Sequence, residues 1–209
     1  MTFDKDFKFA ISNLPSKEKD KLLLRLLKKD LTLANRLYFE LVTTDSVDER
    51  RDNLEKDIIK EAQLITDRYY SPGILMMDMR ELSGKINEHV SITKDKYGEA
   101  SLNLLLLNEI LKLNHSNIEE ASPNKIYKLG IYIIAKIFKI LIIINSLHED
   151  FYMEFESSLA VLGNEISKSN YLMNTAIQNG LDVNWLLSDD IPDNIKDIHK
   201  DIRARGFLK

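Results

Sequence analysis

Residues 126–145 read IYKLGIYIIAKIFKILIIIN, the most apolar run of this 209-residue chain, and residues 121–148 contain no acidic side chain. Such a run either crosses a bilayer or forms the buried hub of a helical fold. Its lysines decide between the two. At about 100° per residue, Lys125, Lys128, Lys136 and Lys139 fall within an arc of roughly 80°, and Tyr132 lies inside that arc. A spanning helix would hold two or more of these amines deep in lipid, at about 2.5–3.5 kcal/mol each near the centre. A helix packed on most sides, with one wet edge, meets no such cost. The segment 123–147 is therefore predicted to be a core helix and not a membrane span. Its lysines are expected to reach solvent along that edge, or to meet acids on a neighbour.

The flanking sequence continues the helical pattern. In 99–113, Leu102, Leu104, Leu105, Leu106, Leu107, Ile110 and Leu111 cover most of the circumference, as in a buried helix. Segments 99–113 and 123–147 are expected to form the hub of a bundle. Ser71 and Pro72 start a helix over about 73–92, with Leu75, Met79, Leu82, Ile86 and Val90 on one face. Before it, 46–69 carries a thin stripe of Val47, Leu54, Ile58, Ala62, Ile65 and Tyr69. Its DERRDN run at 48–53 is wholly polar and is expected to project into water or meet a partner.

Shorter helices are predicted at 3–12, 17–29 (with Ser16 as cap), 31–43, 149–168, 170–179, 182–188 and 192–204. With only 7 Gly and 4 Pro, and no alternating run bounded by turn residues, the chain reads as all-α. The expected architecture is an irregular multi-helix bundle, with a short α-α superhelical array as the alternative. It reads as a single helical domain over 1–209, with 1–44 as an amino-terminal helical hairpin subdomain.

Composition removes several chemistries. The chain has no cysteine, which excludes disulfides, thiolate zinc and a catalytic thiol together. Acids and lysines interrupt the first twenty residues, so no secretory signal is read there and a cytoplasmic location is expected. The net charge of −4 gives no overall pull toward nucleic acid. Charge is unevenly placed, however: residues 1–44 are net basic and 45–69 net acidic. The helix 17–29 sets six basic residues around a run of leucines, a pattern that docks on membranes or partner grooves, or closes one end of a bundle.

Familiar catalytic patterns are missing. There is no Glu-x-x-His, His-Glu-x-x-His, Gly-x-x-x-x-Gly-Lys, Gly-x-Gly-x-x-Gly or Gly-x-Ser-x-Gly. The paired acids by which all-α nucleotide pyrophosphohydrolases bind magnesium are absent, since Glu119-Glu120 has no acidic partner at helical spacing. The densest polar cluster is Asp78, Glu81, Lys85 and His89 on one flank of 73–92. Glu81 and His89 lie about 12 Å apart along a helix axis, with Lys85 between them, so one ion cannot take both unaided. That flank reads first as a surface ladder. No catalytic residue, metal site or cofactor is predicted.

Residues 180–188, GLDVNWLLS, resemble the tail of phage-repressor helix-turn-helix domains, where Trp-Leu-Leu closes the last helix. The resemblance covers only that segment, and it implies a recognition helix within 159–179. Yet 170–179 has no lysine or arginine for phosphate contacts. Trp185 is therefore expected to be a packing anchor.

Three functions follow, in order of preference. The first is a non-enzymatic helical protein-interaction or scaffold protein that binds a protein partner or itself. The second is an anion or nucleic-acid binder using Lys125, Lys128, Tyr132, Lys136 and Lys139, joined by Lys196, Lys200, Arg203 and Arg205. The third is an enzyme centred on Asp78, Glu81 and His89.

Overall fold

Serine and aspartate caps set half of the α-helix starts in the computed structural model, which describes residues 2–188 and 190–208. Among these are twelve α-helices, one 3-10 turn and no strand. The chain falls into two units, Met1–Asp45 with Ser91–Thr93, and Ser46–Val90 with Lys94–Lys209.

The first unit holds α1 (Lys5–Ser12), α2 (Ser16–Leu27) and α3 (Leu31–Leu41). Asp4 and Asp30 cap α1 and α3 by accepting the Phe7 and Leu33 backbone N–H groups. Ser16, expected to cap α2, is instead its first residue. Pro15 stands at the cap, with no side-chain bond. The proline ring pre-sets the entry angle, so the helix begins directly behind it. No residue of α1, α2 or α3 is buried.

The second unit contains α4 (Val47–Asp67), α5 (Pro72–Thr93) except its last three residues, α6 (Lys96–Leu113), α7 (His115–Glu119) and α8 (Pro123–Ile144). A 3-10 turn at Glu149–Phe151 leads into α9 (Tyr152–Lys168), α10 (Asn170–Gln178), α11 (Asn184–Leu187) and α12 (Ile195–Ala204). Helix α6 packs against α4, α8 and α9. Helix α8 also packs against α10 and α12, and α9 against α10 and α11. The core runs through α6, where residues from Ala100 to Leu111 are buried on several sides, and α8, where twelve residues are buried. The two apolar segments are thus the hub, and the fold is an all-α, irregular multi-helix bundle. No helix of the described residues is long and apolar enough to cross a membrane.

The polar start of α4 does not simply project. A capping box of Ser46 and Glu49 opens the helix. Arg51 then reaches the Asp95 carboxylate at 2.8 Å and lies over the Tyr97 ring at 4.9 Å. The physical reason is Asp95 itself. It caps α6 by accepting the Gly98 N–H at 2.7 Å, it meets His89 Nε2 at 3.2 Å, and its side chain is only 6% exposed. A buried carboxylate needs cationic and N–H partners, and α4 and α5 each supply one. Gly98 is required here, because a Cβ at that position would collide with the Asp95 carboxylate.

Helix α7 was not foreseen. It turns on Asn114, a fully buried residue whose amide donates to Thr66 Oγ1 at 2.8 Å and to the Ile110 carbonyl at 3.0 Å. Gly180 ends α10 with φ +73°, and Leu181 N–H returns to the Ala176 carbonyl at 2.9 Å. This left-handed stop is the helix end the sequence marks at that glycine. Beyond it, Trp185 meets Phe138 of α8 edge-on at 6.3 Å, so the repressor-like segment packs into this core.

Asp95→Ala is expected to destabilise the protein by about 3 kcal/mol, since it strips a cap and removes the carboxylate that Arg51 and His89 share. Urea unfolding reads this directly. Burial pushes the Asp95 carboxyl up, but His89, the Gly98 N–H and Arg51 outweigh it, and the net shift is below the ordinary 3.8. The unfolded chain therefore binds the proton first on acidification. The contribution is whole above that ordinary value and is lost as pH falls through the lower folded one. The Ala variant should lack this loss.

Candidate functional site

Side chains of α5 and α8 meet in the second unit, where they form the most unusual polar group among the described residues. On α5, Met76, Arg80 and Ser83 stand at i, i+4 and i+7, which puts them on one face. On α8, Lys128, Tyr132 and Lys136 stand four apart and share a face in the same way. Lys136 donates to Ser83 Oγ at 2.7 Å. Ser83 Oγ lies 3.0 Å from the Tyr132 hydroxyl and donates to the Met79 carbonyl at 2.7 Å. The Arg80 guanidinium covers the Tyr132 ring at 5.5 Å, and Lys136 Nζ sits 5.8 Å from the ring centre.

Lys136 is 8% exposed. This corrects the expectation that all four lysines reach solvent or an acid. The α5 flank closes over this amine and offers it a hydroxyl in place of water. No carboxylate pairs with it among the described residues. Desolvation, with repulsion from Lys139, lowers its pKa from 10.5 to about 8, against a smaller opposing pull from Glu99. Burial also raises the Tyr132 hydroxyl above its ordinary value, with the Ser83 contact and Arg80 opposing. The phenol therefore stays protonated at neutral pH.

A cleft of about 360 Å3 opens beside this group. It is lined by Met76, Tyr127, Ile131, Tyr132, Ala135 and Leu208 together with Arg80 and Lys128, with no carboxylate among its lining residues. Leu208 closes one wall in a left-handed conformation, φ +58°, held by its N–H donating to Asn179 Oδ1 at 3.1 Å.

The rest of the lysine stripe is divided. Lys139 forms an ion pair with Glu99 of α6 at 2.7 Å. Lys125 and Lys128 are exposed, but Lys125 borders a different hollow, formed with Tyr69, Tyr70 and Pro72. At the carboxy-terminal end Lys196, Lys200, Arg203 and Arg205 are exposed, and Arg205 pairs with Asp201 at 3.2 Å.

The polar flank of α5 does not gather to one point. Asp78 faces Arg68 at 3.9 Å, Lys85 faces Glu61 at 4.0 Å, His89 is buried on Asp95, and Glu81 is exposed. Lys85 and His89 do border one shallow hollow with Arg50, Asp57 and Glu88, which Asp78 and Glu81 do not join. No group of three or more potential metal ligands occurs among the described residues. Ser83 and Arg80 were missed in the sequence. Their spacing with Met76 was the available signal, but it shows a face and not which helix that face meets.

The buried amine has a measurable consequence for stability. Its folded pKa is depressed, so between about pH 8 and 10.5 the unfolded chain holds the proton that the folded chain has lost. Stability contributed at this position therefore rises with pH across that window, by about 3 kcal/mol at most. Lys136→Met is expected to be more stable than the native chain at pH 7, with the advantage shrinking toward pH 10.5. Parallel urea titrations of the two proteins check this, and a difference independent of pH would refute it.

No family model matches this chain, and neither a curated protein nor a solved structure matches it.

Proposed function

We propose that this protein binds a small organic anion with an apolar body, in the cleft between α5 and α8. The observation that carries the reading is the cleft's lining: apolar and aromatic side chains, two cations and no acid. Pockets for small ligands are of this kind, concave and mostly apolar with a few placed polar groups. Arg80 offers a planar fork suited to a carboxylate or phosphate, and Lys128 a second, mobile charge. Arg80 and Lys128 are exposed, and neither has an ion pair among the described residues. A long polyanion suits the stripe less well. Lys139 is already paired and Lys136 is covered, which leaves two cations along it where nucleic-acid affinity needs many phosphate contacts.

Residues 1–45 favour a second, separate reading. Phe9, Leu31, Tyr38 and Leu41 stand exposed there, on helices with no buried residue. This supports docking of that unit on a protein partner or a second copy, and sedimentation of the whole chain over a concentration series tests self-association.

For the cleft, calorimetry with benzoate and phenyl phosphate is the direct test. Both are expected to bind, with toluene weaker. Arg80→Gln with Lys128→Gln should weaken benzoate by about 10- to 100-fold, the worth of one to two charge-assisted contacts. Equal weakening by Lys196→Gln with Lys200→Gln on α12, or no heat at millimolar benzoate, would remove the proposal.

A further inference from the structure

Helices α8 and α10 border another hollow, of about 340 Å3, whose chemistry differs from that of the others. The cleft beside Arg80 and the hollows at Lys125 and Lys85 all have charged side chains in their linings. This one has none. Helix α10 contributes Tyr171, Asn174, Thr175 and Gln178, which stand at i, i+3, i+4 and i+7 and so share one face. Helix α8 contributes Asn124 and Tyr127 from its first two turns.

The fold fixes the inner part of this lining. A Cβ at Gly130 of α8 would meet a carbon of the Tyr171 ring at 2.9 Å, so the glycine is what lets that ring bed against the helix. Thr175, 5% exposed, donates to the Tyr171 carbonyl at 2.8 Å, which leaves its hydroxyl able only to accept. Burial raises the Tyr171 hydroxyl above its ordinary value, with Thr175 opposing, and the phenol stays a neutral donor at neutral pH. The outer part is uncommitted. The side chains of Asn124, Asn174 and Gln178 are exposed and make no hydrogen bond among the described residues. Each amide therefore has both a donor and an acceptor to offer.

We infer that this hollow binds a neutral saccharide ring, held by the three amides and packed on the two tyrosine rings. Sugar hydroxyls both donate and accept, as carboxamides do, so two adjacent hydroxyls can pair with one amide through its C=O and its N–H. The C–H faces of the ring are apolar and suit an aromatic wall. An ion finds no counter-charge here. A wholly apolar molecule would strip water from the amides and replace none of those bonds. The volume is at the small end for ligand sites, which suits one ring and not a chain of them. The inference goes beyond the anion-binding reading and does not rest on it, although Tyr127 lines both hollows.

The test is a titration of the isotope-labelled full chain, followed by NMR, with methyl glucoside, methyl galactoside, methyl mannoside and N-acetylglucosamine, and with uridine as the comparison. At least one saccharide is expected to shift the side-chain amide signals of Asn124, Asn174 and Gln178 at millimolar concentration. Asn174→Ala with Gln178→Ala, both on the surface, should weaken that binding about 10-fold. Asn35→Ala on α3 should leave it unchanged, and Tyr127→Ala should weaken it. No shift by any of the four at tens of millimolar overturns the inference. So do shifts confined to other residues, or tighter binding of uridine than of every saccharide. Benzoate calorimetry keeps the two sites apart. The Asn174 and Gln178 double variant should bind benzoate as the native chain does. Arg80→Gln with Lys128→Gln should leave saccharide binding intact, and its loss there would move the saccharide to the other cleft and overturn the assignment.

Discussion

Helix α8 carries lysines but no carboxylate, and it is packed on most of its circumference by α6, α10 and α12. Each amine must therefore be settled by a neighbour or by water. Lys125 and Lys128 take water, and Lys139 takes Glu99 from α6. Lys136 takes only a hydroxyl, from Ser83 of α5. Net stabilities are about 5–15 kcal/mol, so an amine whose pKa falls from 10.5 to about 8 consumes a visible share of what is available. A methionine would fill the same space without that cost. A lysine there is a departure from the logic of the surrounding core.

The same helix pair shapes the space beside the amine. Three α5 positions separated by one and two turns give a thioether, a guanidinium and a hydroxyl in line. Three α8 positions at four-residue spacing give an ammonium, a phenol and the buried amine. Met76, Arg80, Lys128 and Tyr132 of these rows line the cleft, whereas Ser83 and Lys136 bond to each other and do not line it. Arg80 lies across Tyr132. Elsewhere Asp95 performs the opposite task, drawing Arg51 of α4 and His89 of α5 to the start of α6 and so fixing three helices at one carboxylate. One node spends charge on cohesion, and the other leaves charge uncompensated.

Much of the architecture was legible because helical periodicity and capping chemistry are local. Ser71-Pro72 and Gly180 mark helix ends through interactions within five residues, so each could be read from the chain, whereas the start expected at 99 comes three residues late, because Asp95 caps a helix that begins at Lys96. Helix α7 could not be read, because what holds its first turn is Asn114 bonded to Thr66, forty-eight positions away. The site was half legible for the same reason. The arc containing Lys128, Tyr132 and Lys136 follows from one helix alone. That Ser83 and Arg80 complete it depends on which face of α5 meets α8, a matter of tertiary packing. The apparent cluster of Asp78, Glu81, Lys85 and His89 shows the converse, since one helix flank can be divided among different neighbours.

Leu208 adds a consequence of another kind. A leucine in the left-handed region bears a backbone penalty that glycine or asparagine would largely escape. Its side chain is nonetheless folded in, 5% exposed, as one wall of the cleft, while its amide is tethered to Asn179. Part of the cavity's lining thus comes from a residue outside every helix. Exchange of that single side chain for a shorter or bulkier one would resize the chamber while leaving both cations and the amine untouched. The shape of that space is thus adjustable without any change to the helical scaffold.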